Sequence, residues 1–232
     1  MTWFDDDTRP IEQSPGQFSA TTSSNWNIGD NANGGYTTAM VLRAMAASNP
    51  HPDPISITTH FLRPIKGDLG VDIAVETIRT GRTVSTMRGD LVQDGTLRLT
   101  TLAAFGDLGA GDQSPEWTVA APSIPRPDDC IHRDALNQGL DIGLMSRCEV
   151  RLHPDQIEPS PSKPAQVDGW IRFVDGEAPS VAALPLFCDA FPPSVFPRRG
   201  FSGWVPTIEL TVHVRRRPAP GWIQARFVCD DL

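Results

Sequence analysis

The sequence predicts an α+β protein made of two repeats, each a helix laid against an antiparallel sheet. Three observations carry that expectation. A helical stretch that opens on paired glycines is followed by four runs of alternating, β-branched residues. Short glycine-containing turns separate the later runs and pair them in sequence order. One offset then brings a similar pattern back in the second half of the chain.

The first helix is "GGYTTAMVLRAMAAS", where Met40, Val41, Ala44 and Met45 recur at helical spacing and small residues permit a close approach to a sheet. The strands after it are "ISITTHFLRPI", "GVDIAVETIR", "TVSTMRGDLVQ" and "LRLTTLAAFG". Thr80-Gly81 and Asp94-Gly95 suit tight hairpins in which glycine takes a positive φ. With "QFSATTSSNWNI" ahead of the helix, the order is β-α-β-β-β-β.

In the second half, "ELTVHVRRRPAPG" lines up with "ISITTHFLRPIKG" at a constant shift of 154, so that Arg63, Pro64 and Gly67 fall on Arg217, Pro218 and Gly221. The same shift carries Gly35 onto Asp189. Here "DGWIRFVDG" reads as a strand, "PSVAALPLFCDAF" as the helix, and "TIELTVHVRRRP" and "GWIQARFVCDD" as strands. The proline-rich piece around "SPEWTVAAPSIPRPDD" breaks both periodicities and reads as a connection, and "HPDQIEPSPSKPAQ" as a second loop. The expected organisation is a first unit at 1–108, a linker at 109–142 and a second unit at 143–232. Under the shift, Leu232 corresponds to Ile78, whereas the first unit runs on through two more strands. The second repeat is therefore expected to lack its last strands, as in a truncated chain.

At 232 residues and 39% hydrophobic content, the chain is long enough to bury a substantial core. A formal charge of -8 and a pI near 5.0 argue against nucleic acid as a partner, because phosphate neutralisation needs a basic face. No run of about 18 apolar residues suggests a membrane span, and the start "MTWFDDDTRP" is acidic where a signal peptide is basic and then apolar. A cytoplasmic protein is expected. Cys130, Cys148, Cys188 and Cys229 lack CxxC spacing, and the five histidines are scattered, so neither a metal nor another cofactor is expected.

The motifs "NGGY" at the first helix, "HFLRP" on the next strand, "RTGRTVST" and "QDG" in the hairpins, and "FCDAF" followed by "PTIELTVHVRRRP" resemble, in order and spacing, the acyl-CoA thioesterase II family. That resemblance covers nearly the whole chain. It implies a double hotdog, two helices each wrapped by a curved antiparallel sheet, and an acyl-CoA as the small-molecule partner. It further implies a water held and activated by three side chains. An aspartate at the start of the second helix falls on Asp189, and a threonine on the following strand falls on Thr207. A glutamine on the last strand would lie beyond Leu232. In hotdog proteins the helix amino terminus faces the thioester, so backbone N–H groups near Gly34 and Gly35 are expected to bind its carbonyl oxygen.

Each of these residues also has a purely structural reading. Asn33 caps the helix or orients the loop, and Gly34 and Gly35 allow the turn. Asp189 either caps a helical turn ahead of Pro192 and Pro193 or, desolvated in "ALPLFCDAF", acts as a strengthened base. Thr207 alternates with an apolar side formed by Ile208, Leu210, Val212 and Val214. Arg63, Arg79 and Arg82 lie at strand ends, where they contact coenzyme A phosphates or are simply solvated. His60 reads as a hydrogen-bonded strand residue.

The expected activity is hydrolysis of an acyl-CoA by direct attack of water, without a covalent intermediate; no GxSxG elbow is present. Two alternatives stand beside it, a non-catalytic acyl-CoA binding module and a hotdog hydratase or dehydratase. The second would need a histidine paired with Asp189. Association into a homo-oligomer is expected to be possible, since hotdog sheets extend edge to edge.

Overall fold

The computed structural model describes residues 2–110, 117–135, 139–201, 203 and 205–231. A short helix α1 (Trp3–Asp7) leads into a hairpin of β1 (Ile11–Ser14) and β2 (Gln17–Thr21). The rest of the stretch expected as one strand forms a 3-10 turn at Ser24–Trp26 and a two-residue ladder, β3 (Asn27–Ile28) with β4 (Asn31–Ala32). Helix α2 (Gly34–Ala47) follows, and then β5 (Asp53–Phe61), β6 (Gly70–Thr80), β7 (Ser85–Gln93) and β8 (Thr96–Gly106).

Strands β6, β7 and β8 pair antiparallel in sequence order. Gln93 pairs with Thr96 across a two-residue turn in which Asp94 and Gly95 have φ of 52° and 68°, the mirror-image geometry that suits a twisted hairpin. The other turn differs from expectation. Thr80 pairs with Ser85 across four residues, and the loop is closed by the Gly81 N–H donating to the Val84 carbonyl at 2.8 Å, with no positive φ at Gly81. Helix α2 presses Tyr36, Ala39, Met40, Val41, Leu42, Ala44 and Met45 into the sheet, and all are fully buried or nearly so.

The second half contributes β9 (Ile131–His132), β10 (Cys148–Leu152), β11 (Gln166–Phe173), α3 (Leu184–Asp189), α4 (Phe196–Arg199), β12 (Glu209–His213) and β13 (Ile223–Val228). Strand β9 lies inside the stretch expected as a linker, yet it pairs with β10; residues 111–116 and 136–138 of that stretch lie outside the described residues. The second sheet has the order β13-β11-β10-β9. The apolar run expected as one long helix gives only a 3-10 turn at Val181–Ala183 and the six-residue α3. Pro185 is acceptable in the first turn, where its missing N–H has no intrahelical partner, while Pro192 and Pro193 bar continuation.

Strand β12 leaves its own repeat and joins β5, at the edge of a seven-stranded sheet ordered β1-β2-β6-β7-β8-β5-β12. The register pairs Ile57 with Val212 and Thr58 with Thr211. A shift of 154 carries Ile57 onto Thr211 and Thr58 onto Val212, so it exchanges the members of these two pairs. An approximate two-fold axis between the strands requires that exchange. Arg217 departs from this symmetry. Its guanidinium binds buried Asp53 at the start of β5 through Nε–Oδ1 (3.2 Å) and Nη2–Oδ2 (2.8 Å). Burial pushes the Asp53 carboxyl up, but Arg217 and the Leu108 N–H outweigh it and hold the group below its usual range. Arg63, the matching residue of the first repeat, is exposed.

One apolar core spans both repeats. Phe4, Trp26 and Tyr36 from the first half meet Phe173 and Phe187 from the second, with Trp26 stacked on Tyr36 at 5.3 Å and Phe173 against Phe187 at 4.9 Å. Helices α2 and α3 touch through backbone: a Cβ placed on Gly35 would lie 2.2 Å from the Pro185 carbonyl oxygen. No helix among the described residues is long and apolar enough to cross a membrane. Gly35→Ala is expected to lower unfolding stability in urea by about 1–3 kcal/mol, the usual cost of overpacking. Gly70→Ala meets open space, and its effect is expected to stay within about 0.5 kcal/mol.

Candidate active site

Asp189 is the last residue of α3, not at a helix start as expected, because α3 begins at Leu184 and stops after six residues. Its carboxylate meets the amino end of α2. Asn33 is the N-cap of that helix and serves two partners: its Oδ1 accepts from the Tyr36 N–H at 2.9 Å, and its Nδ2 donates to Asp189 Oδ2 (2.9 Å) and to the Asp189 carbonyl (3.0 Å). The Gly35 N–H donates to the same Oδ2 at 3.1 Å. The helix end expected to cradle a thioester oxygen is thus already engaged by a carboxylate, the kind of anion that helix amino termini attract. Gly34 leaves the necessary room, since a Cβ there would stand 2.8 Å from the Phe61 ring and 3.1 Å from Asp189 Oδ2.

Thr207 lies just ahead of β12, held in place where the Phe61 N–H donates to the Ile208 carbonyl at 2.9 Å. Its hydroxyl donates to Asp189 Oδ1 at 3.0 Å. The apolar side expected on this strand is real only in part: Val212 and Val214 are buried, but Ile208 is 75% exposed because the sheet ends at β12. A carboxylate offers about four acceptor positions. Oδ2 accepts from Asn33 and Gly35 and Oδ1 from Thr207, and the Gly34 N–H also bears on the group.

Burial pushes the Asp189 carboxyl above its usual range, against the opposing pull of the Gly35, Thr207 and Gly34 hydrogen bonds and the charge of Arg133. The group borders a cavity of about 760 Å³, within the usual size range of small-molecule sites. Asn33, Gly34 and Thr37 of the α2 end, Phe61 and Arg63 of the β5 end, and Phe191, Phe196, Phe201 and Phe227 of the second repeat line it. Arg133 also lines it, a residue in the presumed linker that no motif or spacing had singled out. Arg82 does not join. It sits in the β6–β7 hairpin beside the Asp53 end of β5, and Phe61 is eight residues along that strand, about 26 Å at 3.3 Å per residue.

The raised carboxyl has a consequence for stability. Folding favours the protonated form, so stability is fullest below the unfolded-state value and is lost as pH rises through the folded-state value. Asp189→Asn cannot ionise, and its amide NH2 would face the Thr207 hydroxyl, which also accepts. This variant is expected to match or exceed the wild type in urea at neutral pH, with the difference closing in acid; denaturation at both conditions measures it.

Two family models match the chain: the acyl-CoA thioesterase N-terminal domain over residues 22–106 and the acyl-CoA thioesterase C-terminal domain over residues 123–231. A protein assigned as a thioesterase II from Thermobifida fusca superposes with a TM-score of 0.90 at 28% identity, covering 100% of this chain and 87% of that one. A hotdog-fold protein from Alicyclobacillus acidocaldarius gives a TM-score of 0.79 at 25% identity, over 96% of this chain and 84% of that one. The thioesterase-like protein TwmA of Talaromyces wortmannii is 28% identical over 71% of this chain and 56% of its own length. By these two matches, which together span most of its length, the chain belongs to the acyl-CoA thioesterase family and has a hotdog-type fold.

Proposed function

We propose that the protein hydrolyses an acyl-CoA thioester by direct attack of water, with Asp189 as the general base. The observation that carries this reading is the Asp189–Thr207 pair, a desolvated carboxylate joined to a hydroxyl at the wall of a largely apolar cavity. A water donating one proton to Oδ1 and the other to the Thr207 oxygen would be fixed beside the thioester carbon. Attack forms the carbon–oxygen bond as the proton passes to Asp189. The carbon–sulfur bond then breaks, and the leaving thiolate recovers that proton, giving a free acid and coenzyme A.

Each surrounding group supports that cycle. Burial strengthens the base, while neutral donors from Asn33, Gly35 and Thr207 keep the carboxylate in one orientation. The acyl group has Phe61, Phe191, Phe196 and Phe201 for company, and exposed Arg63 stands at the rim, where a phosphate of the leaving group would pass. A hydratase would need an imidazole beside the carboxylate, and no histidine lines this cavity among the described residues.

Assay of acyl-CoA substrates of increasing chain length, with detection of free thiol, tests the reading. Asp189→Asn is expected to lower kcat by about 100- to 10,000-fold, the usual range for loss of a positioned base. Thr207→Ala is expected to lower it by about 10- to 100-fold, as for one hydrogen bond to a charged group. Undiminished turnover in Asp189→Asn would overturn the assignment; tight binding without thiol release in the wild type would favour the binding-module alternative.

A further inference from the structure

Arg133 follows β9 and is only 3% exposed, although a buried guanidinium is costly unless its charge is answered. Its Nη1 donates to the Ala190 carbonyl, at the residue that ends α3 next to Asp189. Helix-terminal carbonyls lack an intrahelical partner, so this bond ties the end of α3 to the β9 segment. Among the described residues, Arg133 forms no ion pair, and its Nε has no hydrogen-bond partner. The charges that bear on it are Asp189 and, formally, Cys148 of β10. Burial pushes the Cys148 thiol up and keeps it neutral, which leaves the Asp189 carboxylate as the counter-charge.

The other ionisable groups near the cavity are otherwise engaged or remote. Arg226 is held by Asp168 through bonds of 2.7 and 3.0 Å, and Arg63 is exposed at the rim. Cys188, beside Asp189 on α3, is exposed at the surface, and partial desolvation and the neighbouring negative charge push its thiol up.

We propose that Arg133 is a positioning residue for Asp189: it anchors the end of α3 through the Ala190 carbonyl and supplies a nearby positive charge that keeps the carboxylate ionised without occupying either oxygen. This deepens the proposed function and rests on Asp189 being its base. A direct, bidentate ion pair would tie up the carboxylate oxygens and make the group a poor base. Neutral donors alone would leave a desolvated carboxylate with a strong tendency to protonate. A guanidinium within Coulombic reach but outside contact meets both needs. Burial draws Arg133 itself down to about 10, still charged at neutral pH.

The test uses the full chain labelled with carboxyl-13C aspartate, the Asp189 resonance being assigned by its loss in Asp189→Asn. Its titration is followed in the wild type, Arg133→Met and Arg133→Lys, alongside the pH dependence of kcat/KM for an acyl-CoA. In Arg133→Met the midpoint is expected to rise by at least about half a unit, from loss of an opposite charge, and the acid limb of kcat/KM to rise with it. Arg133→Lys keeps the charge and is expected to hold the wild-type midpoint and limb while kcat falls, because the Nη1 bond to Ala190 is lost. A folded Arg133→Met with an unmoved midpoint would overturn the proposal; if that variant does not fold, a displaced midpoint in Arg133→Lys does so. If no acyl-CoA is hydrolysed by any form yet the midpoint moves, the coupling stands and the hydrolase reading falls.

Discussion

The structure turns on a carboxylate from one repeat seated on the amino end of a helix from the other. Asp189 reaches α2 only because Gly34 and Gly35 carry no side chains and because α2 and α3 touch backbone to backbone. In return, the helix end offers N–H groups and a partial positive charge to a group that burial would otherwise neutralise. Asn33 joins these functions, since one amide satisfies both the first turn of α2 and the Asp189 carboxylate. Position and charge state of this carboxylate are therefore set by the same few bonds that join the two halves.

Around that contact the fold is a means of bringing distant segments together. The aromatic cluster fixes the halves against each other, and β12 crosses over to extend the first sheet. That crossing brings Thr207 to Asp189, eighteen residues away in sequence and on a separate element. The β9 segment brings Arg133 from the opposite direction, across a separation of 57 residues. Each side chain at the site has its own backbone support.

Much of this was legible in the residues themselves. The helix from Gly34 and the strands after it announce their periods clearly, and the shift of 154 anticipates the approximate two-fold axis. The roles assigned to Asp189 and Thr207 came from family resemblance, because an isolated aspartate in an apolar run has an equally good reading as a cap. The end of α3 was misjudged because the apolar run continues past it, although Pro192 and Pro193 already marked the stop. Arg133 left no local signal, since its partner lies far away and its surroundings are irregular. Arg82 suited phosphate by type, but hairpin connectivity carries it to the wrong end of the sheet.

The ion pair between Asp53 and Arg217 has a meaning that emerges from the duplication. The shift of 154 carries Asp53 onto Thr207 and Arg63 onto Arg217, so this pair stands where strict symmetry would set Thr207 beside Arg63. At that end of the β5–β12 seam an ion pair ties the two repeats together, whereas at the other end Thr207 meets Asp189. One seam therefore has two unlike ends, one locked by charge and one that opens on the cavity.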